Sequence, residues 1–288
     1  MIVKCGKTAL ATLLLLVAGV LCAAPRLAHA AVGPGGLCQA IFNEVAASVG
    51  SYKNAITETG FCNEAALLQE CASEGGAGIH HAEYQNPEDG TKRMSAKRIL
   101  VMGVFHGDEP YTAAVPLLWF KRMKRINPRN SWRFVPVVNP SGLRNKTRWT
   151  LGGADINRNF PTKDWGRIAK TIARRNPGKG PASEWETRCV LAHLDSFRPD
   201  VVVAIHAPYG LLDFDGPLSA KMPFIRMMRP RRLGTFPGSL GRYLWVERRI
   251  PVLTVELPEP GRMVPEQDLE LLQDWAGTLA QQYRKAAP

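Results

Sequence analysis

With 37 Lys and Arg against 25 Asp and Glu, this 288-residue chain carries a net charge of +12, a balance that favours contact with polyanions such as cell wall, anionic lipid or nucleic acid. The basic residues are scattered apart from Arg226-Met227-Met228-Arg229-Pro230-Arg231-Arg232, and no nucleic-acid-binding signature is present. Nucleic acid is therefore excluded as the expected partner, and a solvated basic surface is the simpler reading.

At the N-terminus, Lys4 and Lys7 precede an apolar run from Thr8 to Ala24, and Ala28-His29-Ala30 offers the small-x-small pattern that a signal peptidase accepts. A membrane anchor is the competing reading, but the run falls short of the roughly 20 residues that a spanning helix needs. Cys22 follows Leu21, which is bulky where a lipid-attachment site wants a small residue. Cleavage after Ala30 leaves 258 residues and a net charge of +9, enough for one α/β domain with a full core. The expected layout is a signal peptide over 1–30, a helical segment over 31–75 and a catalytic domain over 76–288. The protein is then periplasmic or secreted, with no stable membrane span after cleavage.

From Leu37 to Cys71 the pattern is helical, with Ile41, Val45 and Val49 at four-residue steps. His80 to Gln85 reads as a strand, and Arg98 to Phe105 as a buried strand that ends at His106. A helix carrying Ala113, Leu117 and Phe120 follows, with Pro116 either kinking it or marking its first turn. Arg133 to Val138 is the next strand, closed by a turn at Asn139-Pro140-Ser141-Gly142, and Leu143 to Pro161 reads as loop. Ser183-Glu184-Trp185-Glu186 resembles a capping box opening a helix to about Ser196. Val201 to Ile205 is a strand delivering His206, Pro251 to Leu257 a strand carrying Glu256, and Glu266 to Lys285 a final amphipathic helix. Strands alternating with helices predict a mixed, mostly parallel twisted sheet with helices on both faces. Ligands bind such sheets beyond the carboxyl ends of strands, where His106, His206 and Glu256 all fall.

Cys38, Cys62, Cys71 and Cys189 remain after signal cleavage, and four cysteines allow three pairings. Two of the first three are expected to pair, since they share one segment. Cys189 is expected to be a free, buried thiol on a helix.

A catalytic zinc site takes three protein ligands and leaves a fourth position open. His106, Glu109 and His206 offer a two-His, one-carboxylate set, and the His-x-x-Glu spacing lets one loop supply two of the three. That spacing alone recurs by chance; the joint occurrence at strand ends is what carries weight. His80, His81 and His193 lack such partners and read as structural. Glu256 is the candidate for moving the proton of an attacking water, with Glu259 near enough to compete. Arg148 is a candidate cation for the developing oxyanion. Asn157 with Arg158 can hold a carboxylate through paired hydrogen bonds.

Together, His106-x-x-Glu109, Asn139-Pro140-x-Gly142, Asp155-x-Asn157-Arg158-Asn159-Phe160, His206 and Glu256 resemble the zinc carboxypeptidase family, the carboxypeptidase A-like enzymes, in family order across residues 98–285. The resemblance implies one zinc per chain on His106, Glu109 and His206, Glu256 as general base and acid, Arg148 at the oxyanion, and Asn157 with Arg158 at the substrate carboxylate. His206-Ala207-Pro208-Tyr209-Gly210, Asp213-Phe214-Asp215-Gly216-Pro217 and Phe236-Pro237-Gly238-Ser239-Leu240-Gly241 look closer to the bacterial murein peptide amidase branch. That branch implies a murein peptide substrate cut at the γ-D-glutamyl–meso-diaminopimelate bond. Tyr209 and Tyr243 are both candidates for the tyrosine that closes over substrate in digestive members. Three alternatives stay open: a general metallocarboxypeptidase on α-linked peptides, an aspartoacylase-like deacylase of N-acyl amino acids, and a non-catalytic wall-binding protein.

Overall fold

The computed structural model describes residues 34–49, 60–72, 77–86, 96–168, 173–217 and 222–283. The expected signal peptide lies outside them. The strands are β1 (Ala82–Tyr84), β2 (Arg98–Met102), β3 (Ser131–Val135), β4 (Val201–His206), β5 (Tyr209–Asp215), β6 (Arg229–Pro230) and β7 (Val252–Pro258). The helices are α1 (Pro34–Ser48), α2 (Phe61–Glu64), α3 (Ala114–Met123), α4 (Pro140–Asn145), α5 (Trp185–Phe197) and α6 (Glu266–Gln282).

Continuous apolar runs mark strands covered on both faces, and β4 is buried along its whole length. The seven strands form one sheet in the order β1-β3-β2-β4-β7-β5-β6. β3, β2, β4 and β7 run parallel, while β1 pairs antiparallel with β3 and β5 antiparallel with β7. The sheet is mixed and mostly parallel, as its sequence implies. Because side chains alternate along a strand, Ile99 and Val101 of β2 join the core built with α1, α3 and α6. Leu100 and Met102 join the opposite core, which holds Cys189, Val190 and Leu194 of α5.

Several local expectations are corrected. Among the described residues of the stretch from Leu37 to Cys71, α1, α2 and a 3-10 turn at Gln69–Cys71 form, separated after Glu64 by extended chain, and Ile41, Val45 and Val49 are buried as their spacing predicts. Asn139-Pro140-Ser141-Gly142 opens α4 instead of closing a turn. The Asn139 side chain accepts from the Gly142 N–H at 2.8 Å, and Pro140 sits where its missing donor costs nothing. The stretch read as loop from Leu143 therefore begins inside α4. The capping box at Ser183 does not form. Buried Glu186 accepts instead from Ser141 Oγ at 2.6 Å, so a tertiary partner outcompetes the local one. Pro116 lies in the first turn of α3, where helices tolerate it.

Two disulfides staple the helices. Cys38–Cys62 joins α1 to α2, a pairing within the first three cysteines. Cys71–Cys189 joins the 3-10 turn to α5 across 118 residues, so Cys189 is not the free thiol expected. The apolar face of α5 packs against that turn and brings the two Cα atoms to 4.8 Å, a separation only tertiary structure sets.

Candidate metal centre and its cavity

β2 stops at Met102, and the chain bends sharply before His106. Val104 adopts φ 45°, a conformation costly for a β-branched side chain. Two bonds hold it there: its N–H donates to Thr112 Oγ1 at 2.8 Å, and its carbonyl accepts from the Asn139 N–H at 2.9 Å. Gly107 follows because its Cα faces the start of α4; a Cβ there would stand 1.9 Å from the Gly142 carbonyl carbon. His206 ends β4 and lies in register with Glu256 of β7.

These turns bring His106, Glu109 and His206 together with ligand atoms all within 4.8 Å of one another. His106 Nδ1 stands 2.9 Å from Glu109 Oε1, and His206 Nδ1 3.7 Å from Glu109 Oε2. Beyond them, His106 Nε2 lies 3.2 Å from Asp155 Oδ1. Arg148 donates from Nε and Nη2 to Asp155 Oδ2 at 3.2 and 3.0 Å, with Nη1 3.7 Å from Glu109 Oε1. Glu256 is buried beside this group, and its Oε2 has no hydrogen-bond partner. Burial first, then the negative charge of Glu109, raises its pKa to about 7.

The predicted residues line one cavity of about 600 Å³, apart from Tyr243 and Glu259. Arg158 is almost fully buried, its guanidinium 5.2 Å above the Phe236 ring. Asn157 accepts from the Leu240 N–H at 2.9 Å, which fixes its amide in the cavity wall. Tyr209 begins β5, exposed at the rim. Tyr243 is buried instead, stacked 6.0 Å from Phe160. Glu259 is exposed beyond the end of β7 and outside the cavity. The Arg226–Arg232 cluster is not all solvated surface: Arg229 and Arg231 also line the cavity.

Residues 71–212 match the family model described as zinc carboxypeptidase. That stretch is a zinc carboxypeptidase domain. Murein peptide amidase A of Escherichia coli K12 is 30% identical over 125 residues, 40% of this chain and 50% of that protein. The chain thus spans about half the length of the curated relatives it matches. Among solved structures, a murein-tripeptide amidase from Escherichia coli O157 is 20% identical with a TM-score of 0.52, over 76% of this chain and 95% of that one. Bovine thrombin-activatable fibrinolysis inhibitor, in complex with tick carboxypeptidase inhibitor, is 15% identical with a TM-score of 0.56, over 83% and 94%. These likenesses show the zinc carboxypeptidase fold.

The donor set fits the family's metal. Two imidazoles and one carboxylate bring their ligand atoms within 4.8 Å of one another, the composition of a catalytic zinc site. Asp155 engages Nε2 of His106 and leaves Nδ1 to face Glu109, the way an outer carboxylate orients a zinc-binding histidine. Two carboxylates also bracket the His106 ring. Burial opposes charging His106, yet Glu109 and Asp155 outweigh burial and lift its pKa to about 9. The orienting role of Asp155 escaped the sequence reading, although the residue opens the Asp155-x-Asn157-Arg158 run. Nothing in the run distinguishes an acid that touches substrate from one that touches a ligand.

Proposed function

We propose that this chain is a zinc-dependent amidohydrolase of exported cell-wall peptides, cutting the γ-D-glutamyl–meso-diaminopimelate bond. One observation carries the reading. A single cavity holds the three-ligand set, the buried carboxyl of Glu256 and the Asn157–Arg158 pair. One zinc per chain would rest on His106, Glu109 and His206, where it polarises the scissile carbonyl and acidifies the attacking water.

The protein's own groups do the rest. Arg158 and Asn157 grip the carboxylate next to the scissile bond and fix its register. Glu256 takes the proton from the attacking water and delivers it to the leaving amine, a task for which its buried carboxyl with a free Oε2 beside the ligand set is placed. Arg148 faces the carbonyl oxygen as negative charge develops there, while Asp155 holds the guanidinium in place. Tyr209, exposed at the rim, covers the peptide.

Similarity to murein peptide amidase A supports the substrate class. Two disulfides suit an oxidising compartment and support a periplasmic or secreted location. Among the described residues, no helix is long and apolar enough to cross a membrane. Purified zinc-loaded protein should release diaminopimelate from L-Ala-γ-D-Glu-meso-diaminopimelate and stop when a chelator is added. Preferential cleavage of α-linked C-terminal residues, or of N-acyl amino acids, would replace the proposed substrate.

A further inference from the structure

Asn139 sits between the turn that carries His106 and the segment that carries Arg148. Its side chain is fully buried, so every polar atom on it needs a partner. Oδ1 accepts from the Gly142 N–H at 2.8 Å and lies 3.2 Å from Ser141 Oγ. Nδ2 donates to the Phe105 carbonyl at 3.2 Å and to the Arg148 carbonyl at 3.3 Å. A backbone N–H on one side and two carbonyls on the other permit only this orientation of the amide.

The two carbonyls belong to the two halves of the site. Phe105 immediately precedes His106, and the Asn139 N–H holds the same turn a second time through the Val104 carbonyl at 2.9 Å. Arg148 lies on a segment wrapped around the first turn of α4. There the Thr147 N–H donates to the Gly142 carbonyl at 2.9 Å and the Leu151 N–H to Ser141 Oγ at 3.1 Å. Gly142 makes the close approach possible: a Cβ there would stand 2.5 Å from both Asn139 Nδ2 and the Trp149 carbonyl oxygen. Among these links, the Asn139 amide alone also bonds the chain that delivers His106. Asp155 fixes only the head of Arg148, through Nε and Nη2. A long stem with several free torsions lets that head shift whenever its backbone moves.

We propose that Asn139 is a positioning residue for the hydrolysis, its Nδ2 setting the register between the turn carrying His106 and the segment carrying Arg148. The inference rests on the placement of Arg148 at the oxyanion in the proposed function. Asn139 acts through the two carbonyls and lies outside the cavity lining.

The test is Asn139→Ser, which keeps a short oxygen to cap α4 and loses both donated bonds. With L-Ala-γ-D-Glu-meso-diaminopimelate, kcat should fall about 10- to 100-fold and KM stay within about threefold, the scale on which a misplaced group slows chemistry. In an Arg148→Ala background the same change should cost less than about threefold, because the group it positions is gone. Equal losses in the two backgrounds would make Asn139 merely structural and overturn the proposal. Arg148→Ala with full kcat would remove the oxyanion assignment and the proposal with it. Hydrogen exchange on metal-free protein reads the tether without turnover. Backbone amides from Thr147 to Leu151 should exchange about 10-fold faster in Asn139→Ser, with those of β4 and β7 unchanged. Unchanged exchange in that segment overturns the proposal whatever the enzyme does. A wild-type preparation with no activity would sink the hydrolase reading alone, and the exchange would still decide the tether. Asn139→Asp, which keeps volume and cap, takes the same tests if the serine variant does not fold. Failure of both to fold makes the role structural and also overturns the proposal.

Discussion

Among the described residues, two buried histidine clusters each bring three ligand-type residues within 4.8 Å: His106, Glu109 and His206 in one, Cys71, Cys189 and His193 in the other. Burial is nearly the same in both. The neighbours differ. The first cluster is surrounded by the carboxylates of Glu109 and Asp155, which lift the His106 pKa to about 9 despite burial. In the second, Arg133 places Nη1 3.3 Å from His193 Nδ1, and the sulfurs are consumed by a disulfide. Burial, with charge from His81 and Arg133, pushes His193 well down. One cluster sets carboxylates against its histidines; the other sets an arginine against its histidine and has its sulfurs tied in a disulfide. The sign of the neighbouring charge, rather than burial or residue type, separates a metal centre from a structural knot.

The sharpest way to break that contrast is Glu256→Gln. If Glu256 moves the proton, kcat should fall about 10²- to 10⁴-fold, roughly 3 to 5 kcal/mol of barrier, while bound zinc stays at one per chain. Activity that survives would mean that the catalytic cluster has been drawn around the wrong acid. Zinc lost along with activity would make Glu256 part of the metal's own shell.

The second cluster answers to a stability measurement. Cys71→Ser with Cys189→Ser should lower unfolding free energy by about 2 to 5 kcal/mol, read from the denaturant midpoint. Zinc content and KM should be unchanged. A variant that loses its metal would show the clusters to be coupled through the sheet.

The sequence exposes these two regions unequally. The catalytic set is legible because β4 is an uninterrupted apolar run that ends at His206, and β7 carries Glu256, its one charged residue, near its end. Glu109 is found by its spacing from His106 alone. The disulfide to Cys189 is hidden, since nothing local links a residue on α5 to one 118 positions earlier. The cap at Ser183 fails because Glu186 reaches Ser141 on a distant segment, whereas the helix at Asn139 is opened by its own side chain on the Gly142 N–H. Arg229 and Arg231 read as surface because only the fold turns them toward the cavity.

Acid should open the second cluster selectively. Burial first and Arg133 second lower the His81 pKa from 6.5 to about 4, so the unfolded chain binds a proton that the folded one refuses. His81 therefore contributes stability that is complete above pH 6.5 and is lost as pH falls toward 4, by about 3 kcal/mol in all. His81→Gln should flatten that part of the stability profile measured by urea titration from pH 7 to 4. An unchanged slope would place the acid sensitivity elsewhere, in the zinc ligands for instance.

The finest distinction lies in how each cluster holds its histidine. Asp155 accepts from Nε2 of His106 and anchors Arg148 at once, so it ties the ligand and the oxyanion-facing cation to one carboxylate. Asp155→Asn keeps the shape and removes the charge. It should weaken zinc binding about 10- to 100-fold, roughly 1 to 3 kcal/mol, because the imidazole loses basicity and its fixed orientation. The matching change beside His193, Arg133→Gln, should leave zinc affinity where it was and act on folding stability alone. Competition with a fluorescent zinc chelator measures both on one scale. Equal zinc affinities in the two variants would dissolve the contrast, since the carboxylate neighbour would then have no more hold over the metal than an arginine in a sealed core.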